Sequence, residues 1–312
     1  MRIGFTTDAE IELLEWAKLN GFGSIAWMRF DQSFAAPGKD RWREDSLRFA
    51  EEARIRDIRI STIGAFYRNA LDPAQTARAK ELLHRAIDVA ELIGVRTVSG
   101  FAGGVIETTI NPRGGNPLYT PLENFIPQIA AFWEPVAKYA ANKGIRIAFE
   151  HCPQGVHRLP VTNYNLFGQP ANWERFFNAT KCENIGIEWD AGHLICQFID
   201  PVENLRKFGA KVFHVHAKDA FINRQLLETF GICHPGVAEH RLPGFGQANW
   251  SEIVHELLRA GYDSDLNIEG FHDPVFKDHP TDAGSALAGQ KLEREGWRRA
   301  KQFLQQFVPA ET

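Results

Sequence analysis

Residues 58–101 decide the fold. They read "IRISTIGAF" (58–66), then "DPAQTARAKELLHRAIDVAELIG" (72–94), then "VRTVSGF" (95–101). A short apolar run is followed by a long amphipathic segment, with Asp near its start and Gly at its end, and then by a second apolar run. That is a βαβ unit, and its two strands run parallel.

The same alternation extends in both directions. Strand-like segments recur as "RIGFTT" (2–7), "FGSIAWM" (22–28), "GIRIAFE" (144–150), "NIGIEWD" (184–190), "KVFHVHA" (211–217) and "DLNIEG" (265–270). Helical patterns such as "DAEIELLEWAKLNG" (8–21) and "ANWSEIVHELLRAG" (248–261) lie between them. With the two strands above, the count reaches eight, which predicts a (β/α)8 TIM barrel occupying residues 1–312 as one domain. A doubly wound open sheet is the competing architecture, but no glycine-rich phosphate loop follows the first strand. The longest connections, 111–121, 157–173 and 221–247, follow the fourth, fifth and seventh strands. All three therefore fall on the C-terminal face, where barrel enzymes build their sites.

Composition narrows the function. The chain is 44% hydrophobic and 24% charged, with no apolar run of the ~18 residues that a membrane span needs. A net charge of -4 supplies no basic field for a phosphate backbone, so neither nucleic acid nor membrane is expected as a partner. The start, "MRIGFTTDAE", has no basic-then-apolar leader, and Cys152, Cys182, Cys196 and Cys233 form no CxxC pair. Both features predict a cytoplasmic protein with free thiols.

Strand alternation then assigns faces. In "GIRIAFE", Ile145, Ile147 and Phe149 point toward the helices, and Arg146, Ala148 and Glu150 point into the barrel. In "NIGIEWD" the inward set is Gly186, Glu188 and Asp190. In "VFHVHAKD" it is His214, His216 and Lys218, and in the last strand it is Asn267 and Glu269. Glu150, Asp190, His216 and Glu269 thus close four consecutive strands at the same end. Taken one at a time, a strand-end Glu reads as a solvated loop residue, an Asp before "AGH" as a cap, and a strand His as a satisfied core residue. Three carboxylates and an imidazole converging at equivalent positions repel one another unless a divalent cation lies among them. The oxygen-rich donor set suits Mn²⁺, Mg²⁺ or Co²⁺, with Zn²⁺ as a further option. One step deeper, Arg146 and Glu188 are expected to pair, with His214 or Asn267 completing a polar layer.

These residues resemble the xylose-isomerase-like barrel superfamily of sugar isomerases and epimerases over essentially the whole chain. The matching stretches are "IAFEHCP", "WDAGHL", "HVHAKD", "RLPGFG" and "NIEGFHDP". The resemblance implies a metal held by Glu150, Asp190, His216 and Glu269, with the two glutamates as proton-transfer groups. It places His193, Arg241 and Lys218 at the substrate. The implied reaction is isomerisation or epimerisation of a sugar, sugar phosphate or keto-polyol through a metal-stabilised enediolate. Dehydration of a keto-inositol and sugar binding without turnover are the alternatives. Assembly into a homo-oligomer is compatible with the sequence. The apurinic endonuclease branch needs histidines near the second, third and fourth strands for three zinc ions. Here those strands end in "WMRF", "GAFY" and "SGFAGG", so that chemistry lacks its ligands.

Overall fold

The computed structural model describes residues 1–66, 69–104, 125–153, 165–232, 234–270 and 272–309. The barrel strands are β1 (Arg2–Thr7), β2 (Ser24–Trp27), β3 (Arg59–Gly64), β4 (Thr97–Gly100), β5 (Arg146–Glu150), β6 (Ile185–Asp190), β7 (Val212–Ala217) and β10 (Asp265–Ile268). They close in the order β1-β10-β7-β6-β5-β4-β3-β2, a closed eight-stranded barrel, in which β1 with β10 and β2, β10 with β7, β3 with β4, β4 with β5 and β5 with β6 pair in parallel. Every one lies inside a segment that alternation had marked as a strand.

Helices follow the strands: α1 (Ile11–Leu19), α2 (Trp42–Ile55), α3 (Thr76–Ile93), α4 (Ile126–Ala141), α5 (Trp173–Thr180), α6 (Ala191–Cys196), α7 (Pro201–Phe208), α8 (Arg224–Phe230), α9 (Trp250–Arg259) and α10 (Glu293–Leu304). Their ends carry the expected chemistry. Asp200 accepts hydrogen bonds from the Val202 and Glu203 N–H groups at the start of α7, and Asn249 caps α9 through the Glu252 N–H. Gly94 closes α3 in the left-handed conformation.

By internal contacts the chain divides into two compact units. Residues 28–50 and 62–188 form one. There the outward faces are aromatic: Phe149 of β5 meets Trp133 of α4 at 4.5 Å and Phe176 of α5 at 5.2 Å between ring centroids. Residues 1–27, 51–61 and 189–312 form the other. In it Phe5 of β1 stacks on Trp297 of α10 at 4.4 Å, and Trp189 donates to Asn204 of α7 at 3.0 Å. Trp189 and Phe149 are thus on the helix side, so Asp190 and Glu150 are on the barrel side.

The connection after β7 departs from the expectation of an irregular loop. It folds into a two-stranded antiparallel sheet, β8 (Asp219–Ile222) with β9 (Ala238–Arg241), and carries α8 between them. Residues 111–121 lie outside the described residues, as does the first part of 157–173.

Candidate metal centre

Each expected ligand is delivered by a strand end. Glu150 closes β5, Asp190 closes β6, His216 lies near the end of β7, and Glu269 follows β10. All four are buried, and each offers one ligand atom such that these atoms lie within 4.8 Å of one another. Although β5 and β10 are three places apart in the barrel, the Glu150 and Glu269 oxygens converge.

Asp190 has two tasks. Its Oδ1 accepts from the His193 N–H at 3.0 Å and so caps α6, while Oδ2 lies 3.4 Å from His193 Nε2. The short D-x-x-H spacing therefore brings the imidazole back over its own capping carboxylate. Lys218 enters from the end of β7. Its ammonium is buried, 2.8 Å from Glu269 Oε2, 3.3 Å from Asp190 Oδ2 and 3.3 Å from His193 Nε2. His216 Nδ1 lies 3.1 Å from the same Glu269 oxygen. Gly192 makes this approach possible, because a Cβ there would stand 2.7 Å from the Asp219 carbonyl and 3.0 Å from Lys218 Cγ.

Burial by itself would push the Glu269 carboxyl upward. The Lys218 and His216 charges, with the His216 hydrogen bond, outweigh it and hold the group well below the ordinary carboxylate range. Burial, reinforced by repulsion from Lys218, drives His193 well below the usual imidazole value. It is therefore a neutral ring.

The donor set fits a divalent cation. Three carboxylates and one imidazole converge there in a buried volume, with a lysine ammonium against two of the carboxylates, an oxygen-rich donor set of the kind such an ion takes. Glu188, His214 and His216 form a second buried group with ligand atoms within 4.8 Å, one layer deeper. His214 is committed there: its Nε2 donates to Asn267 Oδ1 at 2.9 Å, and the Ser61 hydroxyl lies 3.1 Å from that nitrogen and 2.9 Å from that oxygen. His214 and Asn267, both expected in a polar layer, meet there, with Ser61 as a member that alternation did not single out. The register sets Glu188 opposite Glu150.

Of the three residues expected at the substrate, His193 and Lys218 join the cluster. Arg241, at the end of β9, directs its Nε to Asp273 Oδ2 at 3.2 Å, an oxygen that also accepts from the Leu242 N–H at 3.0 Å. The R-x-P-G-x-G stretch has a structural reason as well. A Cβ on Gly246 would lie 2.1 Å from Asp219 Oδ1, and Asp219 accepts from the Ala220, Ala248 and Trp250 N–H groups. Asp219 and Asp273 thus fix the two ends of the segment that carries Arg241. Asp219 lies in the "HVHAKD" stretch and Asp273 in "NIEGFHDP", but neither has a role legible in the sequence, since an aspartate's acceptor geometry is known only from the fold.

A family model described as a xylose isomerase-like TIM barrel matches residues 14–306. The chain belongs to that family. It is 27% identical over 225 residues to the uncharacterized protein YfiH of Bacillus subtilis, covering 64% of this chain and 68% of that one. An inosose dehydratase of Clostridium botulinum is 25% identical over 146 residues, 45% of each chain. Among solved structures, the D-psicose 3-epimerase of Clostridium cellulolyticum superposes with a TM-score of 0.70 over 99% of this chain and 100% of that one, at 14% identity. That likeness speaks to the fold. Among the described residues, no helix is long and apolar enough to cross a membrane.

Proposed function

We propose that this protein is a divalent-metal-dependent isomerase or epimerase of a sugar or keto-polyol, working by proton transfer at a carbon next to a carbonyl. One observation carries the reading: the buried set Glu150, Asp190, His216 and Glu269, with Lys218 among the carboxylates, has the charge and donor chemistry of a site for one divalent ion. The family contains both epimerases and dehydratases, which agrees with such a site but does not select between them.

When bound, the ion would act as a Lewis acid on neighbouring carbonyl and hydroxyl oxygens of the substrate. Glu150 and Glu269 are the proposed bases. Glu269 suits the role because Lys218 and His216 keep it ionised and fixed in place. Return of the proton to the opposite face gives epimerisation, and return to the adjacent carbon gives aldose-ketose exchange. The neutral His193 donates to, or accepts from, a substrate hydroxyl, while Lys218 offers a buried positive charge where negative charge develops. Arg241 contributes to substrate binding from the segment held by Asp273.

Elimination of a β-hydroxyl is the competing outcome. It is favoured by Lys218, an ammonium 2.8 Å from Glu269 that can deliver a proton to a leaving hydroxyl. Ketoses, keto-inositols and hydroxypyruvate incubated with the Mn²⁺-loaded protein in deuterated water decide the matter by NMR. Deuterium appearing next to the carbonyl, without loss of water, supports isomerase or epimerase chemistry. Loss of water identifies a dehydratase. Binding with no exchange for any compound identifies a non-catalytic barrel and overturns the proposal.

A further inference from the structure

The segment after β7 brings forward an imidazole to which sequence reasoning assigned no role. His240 lies on β9, paired with Ala220 of β8, and its ring meets that of His193 edge-on at 5.1 Å between centroids. On its other side His272, in the loop after β10, follows at 5.7 Å. The three rings form a row from buried His193, beside Asp190, through half-buried His240 to solvent-exposed His272.

We propose that this row is a hydroxyl-binding rim for the part of the substrate remote from the metal ligands, and that it selects an uncharged polyol over its phosphate ester. The inference deepens the proposed function and rests on it for the position of the reacting carbons.

Three observations support it. First, the rim is built and held. Cys196 Sγ lies 3.8 Å from His240 Nδ1, so that ring nitrogen is engaged within the protein and Nε2 is the one left to meet a ligand. Asp273 ties β9 to the loop carrying His272: Oδ2 accepts from Arg241 and Leu242, and Oδ1 accepts from the Val275 and Phe276 N–H groups at 2.8 Å.

Second, the rings are of the right kind. Burial, reinforced by repulsion from Lys218, lowers His240 to about 2, so it is neutral. With Nδ1 against the Cys196 thiol the ring meets a ligand through Nε2, and a hydroxyl, being both donor and acceptor, can pair with that nitrogen in either tautomer. A neutral ring brings a phosphate no positive charge to offset its own.

Third, the nearest cations are engaged. Lys218 is in contact with Asp190 and Glu269, and Arg241 with Asp273. A phosphate placed here would lose its hydration beside three carboxylates.

The test measures binding to the Mn²⁺-loaded protein by calorimetry, with D-fructose and myo-inositol as neutral probes and D-fructose 6-phosphate and myo-inositol 1-phosphate as their esters. The expected result is that at least one neutral probe binds more tightly than its ester. His240→Ala should weaken that probe about three- to tenfold, the effect of losing about one neutral hydrogen bond. His240→Gln, which keeps a donor and an acceptor, should recover part of the loss, and Mn²⁺ affinity should be the same in all three proteins. In turnover the His240→Ala change should appear in KM with kcat retained.

Tighter binding of the esters overturns the inference. So does an affinity that His240→Ala leaves unchanged, and so does the absence of measurable binding by every probe. Binding that depends on His240 without turnover of any compound would keep the rim and remove the isomerase reading. Turnover insensitive to His240 would keep that reading and remove the rim.

Discussion

His214 and His216 stand one residue apart on β7, both fully buried, in opposite surroundings. His214 belongs to a hydrogen-bonded layer, where Asn267 and Ser61 meet its ring nitrogen. His216 belongs to a layer of carboxylates with a lysine among them. The lower layer shows what a strand interior does with a polar group when stability is its purpose: each donor finds an acceptor. The upper layer instead gathers three carboxylates at the mouth, where such groupings serve binding and chemistry.

The largest expected effect lies in the upper layer. Glu269→Gln and Glu150→Gln should each lower turnover by about 10² to 10⁴, the usual worth of a proton-transfer group. Metal content measured beside the rate separates loss of the base from loss of the ion. Full activity in both variants would make the two layers chemically equivalent and break the comparison.

Lys218→Met should destabilise the metal-free protein by about 3–5 kcal/mol, since it leaves Asp190 and Glu269 buried without their ammonium partner. Adding Mn²⁺ should recover much of that in urea unfolding. His214→Ala, in the lower layer, should cost about 1–3 kcal/mol through the groups it leaves unpaired, and here Mn²⁺ affinity should be unchanged. A loss of metal binding in this variant would mean that the layers are coupled.

The smallest effect is a pH dependence. His240 is lowered in the folded state from 6.5 to about 2, so the unfolded chain takes up its proton first as pH falls. Its contribution to stability is complete above pH 6.5 and is lost progressively as pH falls toward about 2. His240→Asn should therefore flatten the stability profile between neutrality and mild acid. Glu269 acts in a lower window: its folded value lies well below 4.5, so its contribution is present above 4.5 and is lost as pH falls further. An unaltered profile in His240→Asn would show that the ring is charged in the folded protein.

The barrel was legible because each strand is a local apolar pattern with a turn signal beside it, and eight of them leave few topologies. The candidate ligands were legible for the same reason: alternation along one strand tells which residue faces inward, and Glu150 and Asp190 end their strands while His216 and Glu269 lie within one residue of an end. What the sequence did not disclose depends on contacts between distant segments. Ser61 joins His214 and Asn267 across separations of 153 and 206 residues, and a serine in a strand looks like any other. The β8–β9 sheet escaped notice because "DAFI" and "AEHR" are too short for a periodic signal and lie inside a long connection. His240 was unassigned for want of that sheet, and Arg241 was placed at the substrate without its partner Asp273.

Metal binding across the two β7 histidines tests the central claim most directly. Equilibrium dialysis against Mn²⁺ should give one tightly held ion per chain in the wild type and in His214→Asn, and none in His216→Ala. Retention of a tightly bound ion by His216→Ala, or its loss in His214→Asn alone, would contradict the assignment of the upper layer as the metal centre.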